Sequence, residues 1–204
     1  MLKKPYFVPL CLQRQCFHGM GHGHMLASNR DVTKSVQKCE TTKNEQASRA
    51  CINGVYMEFF LLTDHGGEIS RTLSDVHITT CHDEQPIDKT DCYVYAPAPY
   101  LESNPNDYYN AAHTYCKRAD TSRGVEVCQH GVGAQLIKDT IHSPRMSVDV
   151  CASFEKQVSQ LCFSGAISGY YYNTNITNES EANCIEIFSQ DYQHACSELI
   201  IEHL

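Results

Sequence analysis

Twelve cysteines lay a ruler along this chain, and any fold it adopts has to honour their spacing. Ten of them form five pairs with ten or eleven residues between the members: Cys39/Cys51, Cys81/Cys92, Cys116/Cys128, Cys151/Cys162 and Cys184/Cys196. The second members recur at intervals of 41, 36, 34 and 34 residues, and Cys16, 35 residues before Cys51, fits the same series. A fixed period of this size marks a repeat architecture, and a regular, even cysteine count marks a disulfide framework. Structural zinc and iron–sulfur sites want close C-x2-C pairs, and covalent haem wants C-x-x-C-H; the sequence has neither. The observed spacing suits helical hairpins stapled across their loops. Nearest-neighbour pairing is therefore expected, in an oxidising compartment: secreted, periplasmic or cell surface.

The second cysteine of each pair opens a short phrase: Cys16-Phe-His-Gly-Met20, Cys51-Ile-Asn-Gly-Val55, Cys128-Gln-His-Gly-Val132 and Cys162-Phe-Ser-Gly-Ala166. The versions at Cys92 and Cys196 lack the glycine. Apolar runs such as 55–62 and 132–137 follow the phrase and read as buried helices. Helix-start residues, namely Asp31, Asp107, Ser147 and Asn178, precede the first cysteine of several pairs. Each unit thus reads as helix, stapled loop, helix, with the glycine expected where two helix backbones approach closely. The fold class expected is all-α: disulfide-stapled helical hairpins with a period of about 35 residues, stacked into a short α-solenoid. It forms a single repeat domain over residues 1–204, with possible halves 1–93 and 106–204 joined by a proline-rich loop at 94–105.

In period and disulfide placement the chain resembles the cysteine-rich members of the Sel1/TPR class of α/α repeats over nearly its whole length. The resemblance implies a right-handed solenoid. It carries over no functional residue, because the Ala, Leu-Gly and Tyr positions of those repeats are replaced here by the Cys-x-[His/Asn/Ser]-Gly phrase.

The most chemically loaded segment is Cys16-Phe-His-Gly-Met-Gly-His-Gly-His-Met25. On a helix, His18, His22 and Met25 share one face at i, i+4 and i+7. Two imidazoles at i, i+4 make a metal clamp, and a thioether shifts the expected metal from zinc toward copper. Three glycines make a helix costly there, so tight packing or a ligand has to compensate. The metal-ligand candidates are His18, His22, His24 and Met25, joined by Met57 and Glu58 from the next repeat. Met57, Ala134 and Ser168 occupy the register of His22, so the repeat scaffold itself does not need a histidine at that position. Haem between His18 and His130 is a further option, requiring a tightly closed superhelix. The plainer reading makes His18 and His130 backbone-bonding structural residues, and the scattered histidines 65, 77, 82, 113, 142, 194 and 203 solvated ones. For Cys11 and Cys16 the even cysteine count favours a short mutual disulfide; otherwise Cys16 is free to join the histidines.

The rival to metal binding is a non-enzymatic scaffold for a protein or glycan partner, using a concave face, the insertions 63–80 and 94–105, and the tyrosines near 93–109 and 170–172. No protease or transferase signature supports an enzyme. Net charge is −8 and no basic run exceeds a pair, as at Lys3-Lys4, which gives nucleic acid no electrostatic footprint. No segment approaches the length of an apolar membrane span. Asn175 and Asn178 begin N-glycosylation sequons. Residues 1–10 lack the apolar core of a signal peptide, so an export signal is expected to lie outside this chain.

Overall fold

A computed structural model describes residues 10–60, 78–82, 86–174, 184, 186–188 and 196. The described residues form helices and turns, with no strand among them. The α-helices are α1 (Leu10–Ala27), α2 (Val32–Glu40), α3 (Glu45–Phe60), α4 (Pro86–Tyr95), α5 (Pro97–Ser103), α6 (Tyr108–Asn110), α7 (Ser122–Asp139), α8 (Arg145–Ala152) and α9 (Lys156–Thr174). A 3₁₀ turn spans Ile78–Cys81, and α6 runs on through a π-helical turn, Ala111–Tyr115, and a 3₁₀ turn, Cys116–Arg118. The chain divides into two compact units, Met1–Phe59 and Phe60–His203.

All five expected disulfides are present, each tying one helical segment to the next: Cys39–Cys51, Cys81–Cys92, Cys116–Cys128, Cys151–Cys162 and Cys184–Cys196. All ten sulfur-bearing residues are fully buried. Closing a loop of this length restricts the unfolded chain by about 3 kcal/mol at most per bridge. Five such bridges mark an oxidising environment. No helix among the described residues is long and apolar enough to cross a membrane.

Local chemistry explains the helix starts. Asp31 caps α2 by accepting the Lys34 N–H at 3.0 Å, turning Ser35, Val36 and Cys39 inward. Thr121 caps α7 through the Gly124 N–H at 2.9 Å. Ser147 is not a cap: α8 begins at Arg145, and the Ser147 hydroxyl is buried and donates to the Pro144 carbonyl at 2.5 Å.

Two expectations are corrected. Cys16 is a free, exposed thiol, not half of a Cys11–Cys16 bridge. Both residues lie on the continuous helix α1; five residues of helical rise and rotation hold their Cα atoms about 8.6 Å apart, beyond the roughly 7 Å that a disulfide spans. The segment 94–105 is not a loop either. Pro97 occupies the first helical turn, where its missing N–H costs nothing, and α5 buries Pro97, Ala98, Pro99 and Leu101. This segment lies inside the second unit.

The glycine phrase obeys a contact rule. A Cβ on Gly54 would lie 2.0 Å from the His18 carbonyl oxygen, one on Gly131 2.1 Å from that of Val94, and one on Gly165 1.8 Å from that of His130. Those carbonyls all sit two residues after the phrase cysteine of the preceding repeat. Gly54, Gly131 and Gly165 thus each press onto the equivalent backbone of the helix before them, while Gly19, in the first phrase, meets nothing within 4 Å among the described residues. The first unit ends between the second and third hairpins, and the third is the one whose phrase carries Tyr95 in place of glycine.

A second glycine tightens two of these crossings. A Cβ on Gly21 would meet the Cys51 carbonyl at 2.0 Å, and one on Gly133 the Cys162 carbonyl at 1.9 Å. The α1/α3 and α7/α9 pairs are therefore the same crossing built twice, once in each unit.

Candidate metal site

The α1/α3 crossing brings four of the six candidate ligand side chains together within the first unit. Backbone contact at Gly21 and Gly54 sets the register, so Met57 and Glu58, one turn beyond Gly54, face His18 and His22 on either side of Gly21. His22 Nε2 lies 3.1 Å from His18 Nε2, which lies 3.2 Å from the Met57 sulfur. Behind them, His22 Nδ1 donates to Glu58 Oε2 at 2.8 Å. Glu58 is 3% exposed, an expensive place for a carboxylate without partners. Its partners include His22 and Arg30, whose Nη2 stands 3.9 Å from Oε1.

The His22 proton can be placed by elimination. A carboxylate only accepts, so Nδ1 carries the hydrogen and Nε2 of neutral His22 presents a lone pair toward His18. His18 is kept neutral: burial, first, and the neighbouring His22, second, lower its pKa to about 4, against a smaller raising effect of its side-chain hydrogen bond with Asn53. Two imidazole nitrogens and one thioether thus come together, and burial disfavours protonation of one of them, His18. Two ligands each about 2.0 Å from an ion at a tetrahedral angle lie about 3.3 Å apart, and a nitrogen and a sulfur about 3.5 Å. The observed 3.1 and 3.2 Å are within a few tenths of an ångström of those separations.

Glu58 stands behind His22, on the side of the ring away from His18. Both of its oxygens are engaged, one by His22 and one by Arg30. A carboxylate behind a histidine fixes the tautomer and ring orientation of metal-binding imidazoles in general.

The twin crossing supplies an internal control. His130 repeats His18, but Ala134 stands for His22, Ser168 for Met57 and Gly169 for Glu58. A Cβ on Gly169 would lie 3.1 Å from Ala134 Cα, so those positions face each other as Glu58 and His22 do. The same backbone crossing packs with alanine and glycine there. His22, Met57 and Glu58 are therefore not demanded by the fold.

Met25 is completely buried among the largest core side chains. A His24 ring nitrogen lies within 4.8 Å of both Cys39 and Cys51 sulfurs. That trio has ligand types but not ligand chemistry, because the two sulfurs are bonded to each other and offer no thiolate. His130 belongs to the second unit, where burial, ahead of the charge of Arg123, lowers its pKa to about 4. Asn175, Asn178 and residues 63–77 of the first insertion lie outside the described residues.

Sequence reasoning missed Arg30. It follows α1 at φ 62°, a left-handed conformation uncommon outside glycine, and no residue-type pattern flags it. His113 was expected to be solvated. Instead it stacks on Tyr109 with ring centroids 4.1 Å apart, packs edge-on to Phe154 at 5.4 Å, and donates from Nδ1 to the Tyr109 carbonyl. The tyrosines are largely interior: Tyr93, Tyr108, Tyr170 and Tyr171 are buried, while Tyr109 and Tyr172 are exposed. Tyr93 and Tyr108 donate to Asp120 and Asp139. No protein-family model, curated protein or solved structure matches the chain.

Proposed function

We propose that this chain is a non-enzymatic metal-binding protein of an extracytoplasmic compartment, secreted, periplasmic or on the cell surface, built on stacked helical-hairpin repeats. Its ion is held by Nε2 of His18, Nε2 of His22 and Sδ of Met57, with Glu58 orienting His22. The observation that carries the reading is the contrast between the two crossings. The α7/α9 pair keeps a histidine only at the His18 position, as His130, and α1/α3 adds the His22 nitrogen, the Met57 sulfur and the Glu58 carboxylate around it. Uptake requires the His18 ring to turn its Nε2 lone pair inward, with its proton on Nδ1; Asn53 already bonds that ring. The five disulfides support the compartment, and the recurring glycine-on-carbonyl contact supports the stacking.

The deciding experiment is metal content by plasma mass spectrometry on untagged protein purified without chelators. Near-equimolar metal in the wild type, lost in Met57→Leu and His22→Gln proteins that retain their helical circular dichroism, is the expected result. Folded wild-type protein that takes up no metal even after incubation with copper and zinc salts would overturn it and turn attention to the scaffold reading.

A further inference from the structure

Resting on the metal-binding reading, we propose that the α1/α3 site selects monovalent copper over divalent zinc and cupric ion. Three features point the same way. The first is the donor set. Two imidazole nitrogens and a thioether converge, and thioether sulfur is a soft ligand suited to cuprous ion. Zinc sites favour four positions and anionic donors. The carboxylate in reach, Glu58, is already held by His22 and Arg30 and can turn to an ion only by releasing them.

The second is charge. All three donors are neutral, and the charge of Glu58 already has the Arg30 guanidinium beside it. An entering ion therefore brings charge that no ligand cancels. The desolvation penalty of an ion grows as the square of its charge, so a dication meets about four times the cost of a monocation at this half-buried place.

The third is that the nearby sulfurs do not complete a four-coordinate site. The Cys39 and Cys51 sulfurs are spent on each other. Cys16 is exposed and stands two residues, about 200° of helical rotation, from His18. The site has the donor number and softness of a three-coordinate cuprous centre.

The test uses the full chain with free thiols alkylated, so that Cys16 binds no copper. Cuprous ion is titrated anaerobically against the chelator bicinchoninate, and zinc against a chromophoric zinc chelator, in wild-type and Met57→Leu proteins. The expected result is one tightly held equivalent of Cu(I), zinc bound weaker by orders of magnitude, and at least a tenfold loss of Cu(I) affinity on losing the thioether with little change for zinc. X-ray absorption of the Cu(I) form should give two nitrogen neighbours and one sulfur. Zinc binding as tight as Cu(I) overturns the selectivity and leaves the metal site standing, whereas Cu(I) affinity indifferent to Met57 overturns the thioether ligand together with the selectivity. Failure to bind either ion overturns both.

Discussion

Glu58, buried in α3, accepts the Nδ1 proton of His22 on α1 at 2.8 Å, and this one contact separates an orienting carboxylate from a ligating one. If Glu58 acts through His22, Glu58→Gln keeps the shape and an acceptor oxygen but removes the charge that fixes the tautomer. Metal affinity should fall by about 10- to 100-fold without being abolished, the usual range for outer-shell partners. A chelator competition titration reads this directly. Complete loss of binding would mean that the carboxylate itself coordinates.

The glycine contacts predict opposite signs for the same substitution. Gly165→Ala forces a methyl to 1.8 Å from the His130 carbonyl, a backbone group that cannot turn aside. Overpacking of that kind costs about 1–3 kcal/mol or more. Gly19→Ala meets no neighbour within 4 Å among the described residues, so it should stabilise α1 by about 0.5–1 kcal/mol through helix propensity alone. Urea unfolding of the two variants checks the pair. Gly54→Ala, at 2.0 Å from the His18 carbonyl, should in addition weaken metal binding without altering any ligand, because it pushes Met57 away from the histidines.

How much of this was legible in the residues follows from what each signal encodes. Cysteine spacing encodes hairpin closure, and all five bridges followed from it. The i, i+4 spacing of His18 and His22, together with the repeat register, placed Met57 and Glu58 opposite them before any coordinates. Arg30 was not legible, because its approach to Glu58 depends on a left-handed turn at two non-glycine residues, Asn29 and Arg30. The placement of His24 beside the Cys39–Cys51 bridge was equally hidden. A run of nearby histidines and methionines does not say which face of α1 the next helix covers; that is set by Gly21 and Gly54 together. Proline clustering misled at 94–105, since proline in a first helical turn is permitted.

The free thiol gives a chemical check on the helix assignment. Cys16 is exposed, whereas the ten bridged cysteines are fully buried. Alkylation of native, unreduced protein should label the tryptic peptide containing Cys16 within minutes. Non-reducing peptide mapping should return the five hairpin links unlabelled. Recovery of a Cys11–Cys16 crosslink would contradict a continuous α1 through both residues.

Two histidines, His18 and His130, have pKa values lowered to about 4, in both cases chiefly by burial. In the unfolded chain each titrates near about 6.5. Between those values the unfolded state binds more protons than the native one, so stability rises with pH across the window. It is fully present above about 6.5, falls as pH drops toward 4, and levels off below that as far as these groups are concerned. Each site contributes at most about 1.4 kcal/mol per pH unit. Asp31 and Asp120 act at lower pH, because hydrogen bonds from Lys34, and from Lys89 and Tyr93, hold them below the ordinary carboxylate value. Urea midpoints followed by tyrosine fluorescence from pH 7 to pH 4, with chelator present, should decline for the wild type. The decline should be shallower in His130→Gln, whatever that substitution does to stability at neutral pH. An unchanged slope in the variant would show that His130 is protonated equally in the folded and unfolded chain, contrary to its burial in α7.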